Sequence, residues 1–331
     1  MKKRRIGQFQ VSEIGLGCMN VSHAYGVPVS DRQARDLLAR ALDLGVDFFD
    51  TASLYGFGKN EEVVGPALKP VRDKIVLASK GGMTAIDGKR VIDGRPQSIK
   101  RDCENSLRRL QTEVIDIYYL HRWDKRVPIE EGVGALADLI KEGKIRAAGL
   151  SEISAPTLRR AHQVHPIAAL QSEYSLATRN PEVATLEACK ELGTAFVAFS
   201  PLCRGFLTGV DLDPGNFVPG DFRLSLPRFM PPNFQKNQGL LKEFRALAEK
   251  WNTTSARLSL AWLLSRGPHV IPIPGTVSIA HLEDDLGAAD LALSPSQLAE
   301  LNQLIDDGKL SGERYPQAGM ADVDTEEIVR K

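Results

Sequence analysis

No window of the sequence approaches the roughly 18 consecutive apolar residues of a membrane-spanning helix, so no span is expected. The basic run at residues 2–5 is followed by Ile6-Gly7-Gln8-Phe9-Gln10, which is no apolar signal core. That run reads as a solvated strand end. Only four cysteines occur, Cys18, Cys103, Cys189 and Cys203, with no C-x-x-C pair and no histidine at metal-ligand spacing. Neither disulfides nor a metal site are expected, and scattered thiols fit a reduced, cytoplasmic setting. Net charge is missing as well. The 42 Lys+Arg balance 42 Asp+Glu, which removes the electrostatic case for nucleic acid or an anionic membrane surface.

What is present is length and rhythm. At 331 residues the chain can bury a large core, either as two ordinary domains or as one closed α/β barrel. Short apolar runs recur at residues 14–17, 46–49, 75–78, 115–120, 145–150, 167–170, 195–199 and 270–273. Their apolarity is continuous, as parallel strands covered on both faces require. Helical patterns lie between them. Ser30-x-x-Gln33 is a capping box, Asn180-Pro181 opens a helix that runs to Gly193, and Gly143 closes another. Ser294-Pro295-x-Gln297 opens a last helix outside the eight-fold count.

Eight βα units predict an α/β protein folded as one (β/α)8 barrel over residues 1–331, with residues 3–12 as an N-terminal β-hairpin. A doubly wound sheet competes, but it is expected to carry G-x-G-x-x-G after its first strand, where this chain has only Gly15 and Gly17. Residues 208–237, after the seventh strand, break the rhythm with Pro, Gly and Asn and the separated Phe217, Phe222, Phe229 and Phe234. A loop of this length reads as a lid or substrate loop docked through its aromatics, with disorder as the alternative.

In such barrels the chemistry sits at the C-terminal ends of the strands. Those ends carry Asp50 with Tyr55 soon after, then Lys80, His121, Ser151-Glu152, Gln171-Ser172-Glu173, Ser200-Pro201 and Pro274-Gly275-Thr276. Each alone has a bland reading as a cap, a solvated tip or packing. Together, an acid, a phenol, an ammonium and an imidazole on successive strands share one mouth. A phenol can donate a proton at neutral pH if a nearby cation lowers its pKa. Lys80 supplies such a charge, Asp50 holds it, and His121 is placed to orient a substrate oxygen.

These residues carry a family resemblance. The segment Val46-Asp47-Phe48-Phe49-Asp50-Thr51-Ala52-x-x-Tyr55-Gly56 resembles the aldo-keto reductase signature. It is joined in order by Leu77-Ala78-Ser79-Lys80, Asp116-x-Tyr118-x-x-Leu120-His121, Gly149-Leu150-Ser151, Gln171-Ser172-Glu173-Tyr174-Ser175, Phe199-Ser200-Pro201-Leu202 and Ile273-Pro274-Gly275-Thr276. Arg204-Gly205-Phe206-Leu207-Thr208-Gly209 resembles the bacterial branch of single-chain NADP(H)-dependent reductases.

The resemblance implies reduction of aldehyde or ketone carbonyls, with Asp50, Tyr55, Lys80 and His121 as catalytic residues and Tyr55 as general acid. It implies a nicotinamide stacked near Phe199, its carboxamide held by Ser151 and Gln171, with Met19 and Asp50 bordering it. Ser200, Pro201, Leu202, Arg204 and Gly205 match the loop at the pyrophosphate; Gly275, Thr276, Val277, Ser278, His281 and Asp285 match the adenosine end. Tyr25, Leu54 and Trp123 fall near the expected substrate pocket. No metal is implied, and the partners are a small carbonyl or alcohol substrate and at most a weak homo-oligomer.

Two departures stand out. Glu152 occupies a position where many relatives place Asn, and Asp285 replaces the usual Asn near the adenine. No Arg or Lys lies between Thr276 and Asp290 to pair with a 2′-phosphate. NADP(H) is therefore expected only narrowly over NAD(H). Two rival readings follow: an NAD-linked dehydrogenase oxidising a secondary alcohol or sugar hydroxyl, and a cofactor-binding partner resembling channel β-subunits.

Overall fold

The computed structural model describes residues 1–22, 24–86, 89–306 and 309–328. The chain opens with an antiparallel hairpin of β1 (Lys3–Ile6) and β2 (Phe9–Ser12). Eight parallel strands follow in sequence order around one sheet: β3 (Leu16–Gly17), β4 (Phe48–Asp50), β5 (Val76–Gly81), β8 (Ile115–Leu120), β9 (Ile145–Ser151), β10 (Ile167–Glu173), β11 (Ala195–Phe199) and β12 (Val270–Pro272). The last strand returns to the first: Gly15 N–H donates to the Pro272 carbonyl at 3.0 Å and Gly17 N–H to the Pro274 carbonyl at 2.9 Å. The sheet thus closes into a (β/α)8 barrel.

The helices form the outer layer. They are α1 (Asp31–Asp43), α2 (Lys59–Leu68), α3 (Pro96–Leu110), α4 (Ile129–Lys141), α5 (Ala155–Val164) and α6 (Thr185–Leu192). The last inter-strand connection holds two, α7 (Asn233–Lys250) and α8 (Ser255–Leu264); α9 (Ile279–Leu286), α10 (Pro295–Leu304) and α11 (Gln317–Ala321) follow β12. Ser30 and Ser294 make the expected capping boxes, each worth about 1 kcal/mol. On α1 the apolar stripe Ala34, Leu37, Leu38 and Ala41 is buried against the sheet. The helix expected from Asn180-Pro181 is instead a 3-10 turn (Asn180–Glu182) and then α6, separated where Ala184 leaves the helical region at φ −154°.

Two hydrophobic layers result. The larger lies between sheet and helices. The smaller fills the barrel with alternate strand residues, among them Phe48, Val76, Ala78, Ile117, Tyr119, Ala169, Val197 and Ile271, and Ile6 and Val11 of the hairpin pack into it. The hairpin therefore plugs the N-terminal end of the barrel.

A second hairpin, β6 (Met83–Ile86) and β7 (Lys89–Ile92), extends beyond β5 and was not anticipated from the sequence. The long segment after β11 is not structureless. It is a series of 3-10 turns whose Phe206, Phe217, Phe229 and Phe234 rings pack against one another at a tilt, and residues 233–237 already belong to α7. It reaches across the mouth: Phe222 N–H donates to the Ala24 carbonyl at 2.8 Å, and Asp221 accepts from Gly26 N–H at 2.9 Å.

The closing seam needs a bare backbone. A Cβ on Gly15 would lie 2.6 Å from the Phe48 ring and 3.0 Å from Ile273, whereas one on Gly134, inside α4, would meet nothing within 4 Å. Gly15→Ala should therefore destabilise the protein by about 1–3 kcal/mol. Gly134→Ala should stabilise it by about 0.5–1 kcal/mol. Chemical denaturation of both variants checks the pair, and equal shifts would contradict the seam.

Candidate active site

Side chains alternate across a strand, so the residues filling the barrel predict which ones reach its rim on the inner side. On β4 the inward series runs Phe48, Asp50; on β5 Val76, Ala78, Lys80; on β8 Ile117, Tyr119 and then His121. On β9 it ends at Ser151, on β10 at Gln171 and on β11 at Phe199. On β4, β5, β8, β9 and β10 the interior turns from apolar to polar at the rim, whereas β11 stays apolar with Phe199.

At that level the groups interlock. Lys80 Nζ donates to Asp50 Oδ1 at 2.5 Å, to the Thr51 carbonyl at 2.9 Å and to Tyr55 Oη at 3.1 Å. Gln171 Nε2, from across the barrel, donates to Asp50 Oδ2 at 2.7 Å. The His121 ring meets the Tyr55 ring edge-on, with centroids 5.8 Å apart. Asp50 and Lys80 are almost fully buried, at 2% and 1% exposure. Burial disfavours the Lys80 ammonium, but Asp50 and the phenol outweigh it and hold its pKa above the ordinary amine value.

The phenol departs from expectation. Burial pushes the Tyr55 pKa above its ordinary value, and the Lys80 charge pulls against this without overcoming it. The cation moderates the shift and does not reverse it. Tyr55 is consequently a protonated phenol at neutral pH. Burial, and then the charges of Arg122, Lys80 and Arg90, push His121 well below the ordinary imidazole value, so its ring is neutral. Its Nδ1 has no hydrogen-bond partner among the described residues.

These groups face a cavity of about 440 Å³. Asp50, Tyr55, His121, Ser151, Gln171 and Phe199 line it; Lys80 stands behind Tyr55 and Asp50. Met19, Tyr25 and Leu54 line it as well, and so do Ser200, Pro201, Leu202, Arg204, Gly205 and Gly275. Ser200, Cys203, Arg204 and Gly205 all have positive φ, which coils the loop after β11 tightly at the cavity edge.

Other expected site residues lie elsewhere. Trp123 does not line the cavity; its indole N–H donates to the Val127 carbonyl at 2.9 Å and the ring packs on the core. Thr276, Val277, Ser278 and His281 lie at the start of α9, outside the lining. There Ser278 accepts from His281 N–H at 3.3 Å and Thr276 Oγ1 from Ser278 N–H at 3.0 Å. Asp285 is buried on α9, and burial beside Asp284 raises its carboxyl to about 8. Sequence reading missed Arg90, Arg122, Phe222, Arg223 and Tyr315, which also line the cavity.

Glu152 does not take the place of the usual Asn at the mouth. Its Oε2 lies 2.6 Å from Arg314 Nη1, on the C-terminal segment, and its Oε1 accepts from Glu173 N–H at 2.8 Å. Glu173 in turn pairs with Arg204 at 2.8 Å, with Arg314 at 3.7 Å and Arg228 at 3.9 Å. One carboxylate on β10 therefore holds the loop after β11, the long segment beyond it and the C-terminal tail. Beyond that point Asp324 accepts from Ser154 Oγ at 2.9 Å and Glu326 from Ala155 N–H at 2.7 Å, capping α5.

Burial works against the Glu173 carboxylate, but Arg204, Arg314 and Arg228 outweigh it and hold its pKa below the ordinary value. Its stabilising contribution is present above the ordinary carboxylate pKa and is lost as pH falls through the lowered one. Glu173→Gln leaves buried guanidinium groups without their shared counter-charge and should cost about 3–5 kcal/mol at neutral pH. Denaturant unfolding measures this, and a cost below about 1 kcal/mol would contradict the network.

Comparison with known proteins places this geometry. The model of the aldo/keto reductase family matches residues 13–306. An aldo-keto reductase of Strobilurus tenacellus, str7, is 43% identical over 335 residues, covering 98% of each chain. The solved glycerol dehydrogenase AKR11B4 from Gluconobacter oxydans superposes with a TM-score of 0.83 at 30% identity, covering 92% of this chain and 94% of that one. An aldo-keto reductase from Klebsiella pneumoniae in complex with NADPH superposes with a TM-score of 0.72 at 31% identity, covering 94% and 99%. On these matches, over nearly its whole length, the chain belongs to the aldo/keto reductase family.

Proposed function

We propose that this protein reduces aldehyde or ketone carbonyls to alcohols at the barrel mouth, with Tyr55 as the proton donor. The observation that carries the reading is the contact of 3.1 Å between Tyr55 Oη and the buried Lys80 ammonium, beside a neutral His121. A reduced nicotinamide, when bound, supplies the hydride. Every other task falls to side chains of this chain.

The residues present fit such a cofactor. Ser151 Oγ accepts from Arg122 at 3.2 Å, which leaves its hydroxyl hydrogen for a carboxamide oxygen. Gln171 presents an amide beside it, and the half-buried Phe199 ring offers a stacking face. The tightly coiled loop from Ser200 to Gly205 suits pyrophosphate oxygens. His121 orients the substrate oxygen toward Tyr55, whose proton passes to that oxygen as charge develops on it. The Lys80 ammonium then stabilises the phenolate left behind, and Asp50 and Gln171 keep that ammonium in place. The chain acts as one barrel domain in which residues 208–237 serve as the lid, a cytoplasmic setting is retained, and oligomerisation is at most weak.

NADP(H) keeps its narrow preference, supported by the NADPH complex of the Klebsiella pneumoniae relative. A second reading has its own support. A structural relative is a glycerol dehydrogenase, and α9 presents Glu283 and Asp284. Those acids already engage Arg40 at 2.6 Å and Arg257 at 2.8 Å, so neither guanidinium is free for a 2′-phosphate. NAD-linked oxidation of an alcohol is therefore the alternative.

Absorbance-monitored consumption of NADPH and NADH with a reactive aromatic aldehyde tests both. Tyr55→Phe should lower turnover by about 10²- to 10⁴-fold. Undiminished turnover in that variant would overturn the mechanism. A strong preference for NADH would transfer the function to the oxidative reading.

A further inference from the structure

Four guanidinium groups line the cavity: Arg90, Arg122, Arg204 and Arg223. Three already hold a carboxylate. Arg90 pairs with Asp322, Arg204 with Glu173 at 2.8 Å and Arg223 with Asp221 at 2.7 Å. Arg122 has none among the described residues, although it is only 9% exposed. Its Nη1 donates to the His121 carbonyl at 2.6 Å and to Ser151 Oγ at 3.2 Å, while its Nε and Nη2 bond to nothing in the described structure. Those two nitrogens reach solvent only through the cavity, and a largely buried guanidinium that faces a cavity without a counter-charge is suited to take an anion there.

Its position narrows what the missing anion is. Arg122 follows His121 at the end of β8, and in the closed ring of strands β8 stands diametrically opposite β12. The elements suited to phosphate, the loop from Ser200 to Gly205 and Gly275, follow β11 and β12. Arg122 is thus on the far side of the mouth from them, next to the groups that would handle the carbonyl. Its charge is felt there: it helps push His121 to the neutral form and opposes the effect of burial on Tyr55.

We propose that Arg122 binds a carboxylate of the substrate, so that this enzyme's preferred substrates are aldehydes or ketones bearing a carboxylate near the carbonyl. The inference rests on the carbonyl-reductase reading above. The free Nε and Nη2 form the planar fork that takes both oxygens of a carboxylate, while Nη1 stays on the backbone and on Ser151. Arg122 thereby fixes the distance between the charged group and the carbonyl that Tyr55 and His121 address. It is a specificity-determining residue, and a substrate lacking the charge leaves it unpaired.

The test compares pairs that differ mainly in charge. Pyruvate, 3-formylbenzoate and 4-formylbenzoate are each set against their methyl esters, using wild type, Arg122→Gln and Arg122→Lys with saturating reduced cofactor. The three acids span different spacings between carboxylate and carbonyl. At least one acid should exceed its ester in kcat/KM by roughly 10- to 100-fold, mainly through KM. That ratio should fall to about one in Arg122→Gln and recover in part in Arg122→Lys.

Ratios near one for all three pairs in wild type, or a ratio unchanged in Arg122→Gln, would overturn the proposal. So would a merely positional role through Ser151, which would weaken NADP⁺ binding in Arg122→Gln without moving the ratio. Calorimetric titration of the same acids and esters into protein saturated with NADP⁺ separates this inference from the reading beneath it. Charge-dependent binding that is lost in Arg122→Gln, with no turnover of any compound, would keep Arg122 and sink the reductase reading. Turnover of acids and esters alike would sink Arg122 alone.

Discussion

The buried pair of Lys80 and Asp50 is the constraint around which the rest of the barrel mouth is arranged. Two charges taken out of water are unfavourable unless every remaining hydrogen-bonding site is met. Here the ammonium has Asp50, the Thr51 carbonyl and Tyr55, while the other carboxylate oxygen has Gln171 from the opposite wall. This set fixes β4, β5 and β10 relative to one another at the rim. It also holds Lys80 behind the lining, while the phenol faces the cavity beside Asp50 and Gln171. The apolar layers beneath, sealed by the N-terminal hairpin, exclude the water that would otherwise weaken the pair.

A second buried charge network does for the loops what the first does for the strands. Glu173 and Glu152, at the ends of β10 and β9, hold Arg204, Arg228 and Arg314. Those arginines come from the loop after β11, the long segment beyond it and the C-terminal tail, which bring Arg204, Phe222, Arg223 and Tyr315 to the cavity. The aromatic contacts of Phe206, Phe217, Phe229 and Phe234 then order a stretch that has little regular structure of its own. Strand ends supply chemistry, and a polar lock supplies the walls.

The strands and the polar residues at their ends were legible because both follow from local rules. Continuous apolar runs marked the parallel strands, and Asp50, His121, Ser151 and Gln171, which close four of those runs, fell on the inner side of the rim. What escaped depends on contacts between distant residues. Asp324 and Glu326 cap α5 from the other end of the chain, and no local pattern ties them to Ser154 or Ala155. Glu152 looked like a departure at the cofactor site until Arg314 appeared beside it. Trp123, adjacent in sequence to a lining residue, turns into the core instead. The Tyr55 shift was expected downward from its cation; burial, which no motif encodes, decides its direction. Arg122 stood next to His121 in plain view, and only the tertiary structure shows that it has no carboxylate partner among the described residues.

The central claim is that the buried pair presents Tyr55 as a protonated phenol beside a neutral imidazole. The most direct measurement is a pH titration by NMR of protein labelled at the tyrosine ζ carbon. The six tyrosine resonances are assigned by difference, with Tyr55→Phe identifying the one that matters. The account predicts that Tyr55 shows the shift of a neutral phenol at pH 7 and begins to ionise only above the ordinary value near 10. A phenolate shift at pH 7 would contradict it, because Lys80 would then have stripped the proton that the mechanism requires Tyr55 to donate.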